Sequence, residues 1–71
     1  MTMYEAEQLN QVLTGLHDQY LRAFQAREGA RLEVLREARD IASLAHEEWA
    51  AGRLRAAVSG YCEALLVLQQ I

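Results

Sequence analysis

The 71-residue chain has no proline, four glycines and a single cysteine, Cys62. Without proline, no interior position is barred from a helical hydrogen bond. One cysteine cannot close an internal disulfide, so a disulfide framework is excluded, and the thiol suits a reducing compartment. Lysine is missing too; arginine supplies all seven basic side chains against ten acidic ones, for a net charge of −3. Polyanion binding rests on neutralising phosphates with a basic face, so nucleic acid is a poor partner for this balance. No apolar run reaches the roughly 18 residues needed to cross a bilayer. The start, Met1-Thr2-Met3-Tyr4-Glu5, has neither the basic region nor the apolar core of a signal peptide. The expectation is a cytoplasmic protein with no membrane contact.

What is present is a helix-forming composition. Ala, Leu, Glu, Gln and Arg dominate, and these lose little entropy in a helix. Thr2-Met3-Tyr4-Glu5 fits a capping box and starts helix one, expected over about 2–27. Leu9, Val12, Leu13, Leu16, Tyr20 and Phe24 then repeat at the period of one buried face. Arg27-Glu28-Gly29-Ala30-Arg31 is polar around a glycine and reads as a stop and short turn. Helix two, about 30–51, carries Leu32, Leu35, Ala38, Ile41, Ala42, Leu44, Ala45 and Trp49 inward. Asp18–Arg22, Glu33–Arg36 and Arg36–Asp40 stand at ion-pairing spacing. Gly52 ends helix two, and helix three, about 53–70, sets Leu54, Ala57, Val58, Tyr61, Ala64, Leu65 and Leu68 on one face. The predicted fold class is all-α: a single domain over 1–71, a small three-helix antiparallel bundle. The alternative is one long helix running through Gly29 plus a shorter C-terminal helix, forming a helical hairpin. Gly15, inside helix one, is either a close-approach site or a tolerated blemish.

The stretch 38–68 resembles one tetratricopeptide repeat, a helix–turn–helix unit of about 34 residues. The residues that carry the likeness are Leu44 and Ala45, Gly52 at the turn, then Leu54, Ala57, Tyr61, Ala64 and Leu65. It covers somewhat under half the chain. Glu48 stands where the repeat usually has a large apolar residue, Gln69 replaces its closing proline, and residues before Ala38 fit no repeat. The microtubule-interacting-and-transport domain looks similar over the same residues, but its extra helix follows the repeat-like pair instead of preceding it. The resemblance implies a protein- or peptide-binding module, and a lone repeat cannot bury its own faces without a neighbour.

Catalytic and metal signatures are thin. His17 and His46 lie in different helices, and neither has a Glu three residues before it, so a di-iron pattern fails. His46-Glu47-Glu48-Trp49-Ala50 opens like a metalloprotease helix but lacks the second histidine. Both histidines read as surface residues. Cys62 reads as a half-buried packing residue, since no base or cation stands beside it in sequence. The acidic pairs Glu5/Glu7 and Glu47/Glu48 diverge around a helix and read as solvated surface. No catalytic group, metal or cofactor is expected, and the chain reads as no enzyme.

The C-terminal run, Ala64-Leu65-Leu66-Val67-Leu68-Gln69-Gln70-Ile71, is apolar all round the helix. A bundle helix buries one stripe, so Leu66 and Val67 are expected outside a face set by Leu65 and Leu68. With Ile71 they predict a patch that something else covers. Leu65, Leu66, Val67, Leu68 and Ile71, with Trp49, are therefore the expected partner-binding residues. The expected function is a non-catalytic interaction module, an adaptor or chaperone-like subunit. Its partner is a protein or a second copy; a homodimer is the most economical assembly, with higher homo-oligomers open. The alternative is a small regulatory DNA-associated protein meeting phosphates through Arg27, Arg31, Arg36 and Arg39, which Glu28, Glu33, Glu37 and Asp40 interleave.

Overall fold

The computed structural model describes all 71 residues as three helices without strands: α1 (Met3–Ala26), α2 (Leu32–Ala50) and α3 (Leu54–Leu68). Thr2 caps α1, its hydroxyl accepting from the Glu5 amide at 3.1 Å. The Glu5 carboxylate does not return to the Thr2 amide. It accepts from the Thr2 hydroxyl and from Arg55 of α3, at 3.3 Å each. This cap therefore also ties α1 to α3.

The chain does break at Gly29, whose φ of +86° only glycine adopts without strain. The long-helix alternative is thereby excluded. The second break is a Schellman turn: the Gly52 amide donates to the Trp49 carbonyl at 3.0 Å, and the Arg53 amide to the Glu48 carbonyl at 2.9 Å. Gly52 has a φ of +82°, as that motif requires. The Arg53 guanidinium then grips the Glu48 carboxylate in a two-point pair. This pairing holds the Glu48 carboxyl below its ordinary range.

α3 is the central helix. It packs against α2 along its length and against α1 on its other side, whereas α1 and α2 barely meet each other. The arrangement corrects the expected exposure of the C-terminal run. A helix serving two neighbours buries about half its circumference instead of one stripe. Val67 is thus buried at 7% exposure and Leu68 at 0%, while Leu65 and Ile71 are half-buried against the core. Of that run's apolar residues only Leu66, 62% exposed, faces outward. Trp49, another expected contact, is half-buried against the same core.

Other expectations also change. Leu44 points outward at 63% exposure, because Val34, Leu35, Ala38, Ala42 and Ala45 fill the inner face of α2. Cys62 is exposed, not half-buried. The helical ion pairs form at other spacings: Arg31–Glu33, Arg39–Asp40, Arg53–Glu48 and Arg55–Glu5. Gly15 has open space around it, so no neighbouring helix approaches there. Close approach occurs instead at Gly60, which faces Ala45 of α2.

Candidate functional site

Because α1 and α2 each lean on α3, a cleft opens between them. Its α1 wall is His17, Tyr20, Leu21, Phe24 and Gln25; its α2 wall is Arg39, Ala42, Ser43, His46 and Glu47. Tyr61 of α3 forms the floor. The cleft holds about 620 Å³, within the ordinary range of binding clefts. A smaller hollow of about 330 Å³ shares Phe24 and Arg39 with it and runs on past Glu28, Leu32 and Arg36 to Gly29. Spacing explains the α1 wall. Positions 17, 20, 21 and 24 are successive steps along one helical face, and that face is wider than the stripe α3 covers.

Polar groups converge on the floor. The Tyr61 hydroxyl lies 3.0 Å from Nδ1 of His17 and 3.4 Å from Nδ1 of His46. It carries one proton, so it donates to one imidazole and accepts from the other. The two imidazole centroids are 5.8 Å apart across the cleft. Burial pushes the Tyr61 phenol above its ordinary pKa of 10.0. Tyr20 is also raised, chiefly by burial, against the opposing pull of the Arg39 guanidinium. At the cleft's end the Trp49 indole N–H donates to Oδ1 of Asn10 at 2.8 Å, clasping α2 to α1. Its ring meets His17, His46 and Tyr61 edge-on.

The histidines that read as separate surface residues therefore belong to one aromatic constellation. Sequence signalled each member as apolar or polar in its own helix, but nothing in it linked positions 17, 46 and 61. Neither histidine is hydrogen-bonded to a carboxylate, and Ser43 is bonded to neither. A nucleophile, base and orienting acid are thus not assembled here. No group of three or more His, Cys, Asp or Glu side chains is placed to share a metal ion. The cleft offers an apolar and aromatic trough, with Arg39 and Arg36 toward one end and Glu47 toward the other.

Fold and site together define a small all-α three-helix domain with one open aromatic cleft. No helix is long and apolar enough to cross a membrane. Comparison with protein-family profiles, with characterised proteins and with solved structures finds no match.

Proposed function

We propose that the chain is a non-catalytic protein-interaction module, a tetratricopeptide-like helical adaptor or chaperone-like subunit that seats a polypeptide segment in the α1–α2 cleft. The observation that carries this reading is the cleft itself. Thirteen buried residues form the core, yet Leu21 and Phe24, outside that set, still line an open trough. An apolar groove between two helices is the usual seat for an amphipathic segment, with burial supplying affinity and rim charges supplying register. The likeness of 38–68 to a helical repeat points the same way. The C-terminal run, in contrast, has lost most of its claim, since Val67 and Leu68 are spent on the core. The DNA-associated alternative draws little support: of its four arginines Arg31 is engaged by Glu33, and Glu28, Glu33, Glu37 and Asp40 interleave with all four.

A photo-crosslinking residue at Gln25, on the cleft rim, compared with one at Leu66, on the outer face of α3, tests the reading in the native host. A covalent polypeptide adduct from Gln25 and not from Leu66 is the expected result. Adducts from Leu66 alone, or from neither, would overturn it.

A further inference from the structure

We infer that the polypeptide seated at this cleft is a second copy of the same chain, packed α2 against α2 about a two-fold axis at Ser43. The inference rests on the interaction-module reading and adds the identity of the occupant. Its basis is the charge order along the outer ridge of α2. Arg39, Ser43 and Glu47 are spaced four residues apart, so they lie on nearly one line, about 6 Å between neighbours. All three are exposed, and Arg39 and Glu47 stand at opposite signs equidistant from Ser43.

A two-fold axis makes an interface self-complementary: position 43 − n of one copy meets 43 + n of the other. Applied to this ridge, Arg39 meets Glu47 and Glu47 meets Arg39, giving two opposite-charge contacts. The same operation sets Asp40 against His46, and Arg36 against the small, uncharged Ala50. No like-charged pair arises among these positions. Glu47 has no ion-pair partner within its own chain, and Arg39 has only Asp40, at 3.6 Å. The ridge charges are therefore available.

Apolar surface follows the same symmetry. Leu44, 63% exposed and without a place in the chain's own core, lies on the side of α2 away from the cleft. The two-fold runs perpendicular to the paired helices and so keeps each flank on its own side. The second copy's Leu44 lies beside the first on that flank, and the two clefts, with Leu21, 42% exposed, and Phe24 in each, come together on the other. A random partner would need to match this charge order; a second copy matches it by construction.

The test is sedimentation equilibrium of the full chain with charge-reversed ridges, helix content being checked by circular dichroism. Wild type is expected to be a dimer. Arg39→Glu and Glu47→Arg alone each create two like-charge contacts and should weaken the dimer about tenfold or more. The double variant, Arg39→Glu with Glu47→Arg, restores both attractive pairs and dimerises. An equimolar mixture of the two single variants forms a mixed dimer that neither forms alone. If a reversal unfolds the chain, Arg39→Gln and Glu47→Gln carry the same comparison with milder weakening. A monomeric wild type, single variants that dimerise unchanged, or a mixture that does not pair would each overturn the inference. A monomer whose Gln25 crosslinker traps a different protein would sink this inference while leaving the interaction-module reading standing. Absence of any Gln25 adduct would sink both.

Discussion

A β-carbon built on Gly60 would lie 2.6 Å from the β-carbon of Ala45, closer than two carbons can pack. The contact sets how near α3 runs to α2, and so how far the two can act as one slab beneath α1. Gly60→Ala gains about 0.5–1 kcal/mol of helix propensity but forces the helices apart, an overpacking cost of about 1–3 kcal/mol. The expected net result is destabilisation by about 1 kcal/mol. Ala45→Gly added to that variant removes the clash, so the pair should show clear positive coupling in a double-mutant cycle by urea denaturation. Gly15→Ala, where space is open, should instead stabilise by about 0.5–1 kcal/mol.

Two neighbouring leucines on α3 should behave oppositely. Leu68 is fully buried and Leu66 is 62% exposed. Leu68→Ala is expected to cost about 2–5 kcal/mol, enough to unfold a domain of this size, whereas Leu66→Ala stays within about 0.5 kcal/mol. Thermal unfolding of the two variants checks this. Equal losses would mean that α3 is not the central helix.

Removing the Tyr61 hydroxyl leaves two imidazole nitrogens without their shared partner. Tyr61→Phe should cost about 0.5–1.5 kcal/mol, since the ring still fills the floor, which is buried to 1% exposure. The more specific readout is the His17 and His46 ring resonances in NMR. Both should shift together on this substitution, because one oxygen touches both rings. Movement of only one would break the proposed chain of three groups.

Alkaline pH should loosen the domain through its phenols. Burial raises both Tyr20 and Tyr61 above 10.0 in the folded chain. A raised phenol binds its proton more tightly when folded, so its stabilising contribution is complete below the unfolded pKa and declines as pH rises through the folded value. Stability is expected to fall above about pH 10, and tyrosinate absorbance should rise with the loss of helix. Tyr20→Phe should blunt the effect, and an unaltered pH profile in that variant would remove Tyr20 from the account.

The position of α3 explains which parts of the molecule could be read in one dimension. Helical periodicity from Leu9 to Phe24, the Thr2 cap, and the glycines at 29 and 52 are local signals, each acting over four or five residues. Helix type and approximate bounds follow from them, while the break at Gly29, and with it the number of helices, stood open against one long helix until the structure decided it. The run Leu65-Leu66-Val67-Leu68 misled because a helix with apolar residues all round is compatible with two opposite causes. It can present a patch to a partner, or it can lie between two neighbours of its own chain, and periodicity does not distinguish them. Gly60 carried a usable hint: a small residue on a buried helix face marks close approach, a role the sequence suggested for Gly15 instead.

The chain by itself determined helix throughout, the Thr2 cap, the break at Gly52, and an interior built from Leu, Ala and Tyr. Hydrogen bonding within a turn and the period of apolar side chains are short-range properties, written in neighbouring residues. Only tertiary structure decided that α3 would be shared by α1 and α2. From that order came the burial of Val67, the exposure of Leu44, and the meeting of His17, His46 and Tyr61 in one cleft. Those outcomes depend on which helix faces touch across the bundle, a choice made by the packing of distant segments and recorded at no single position.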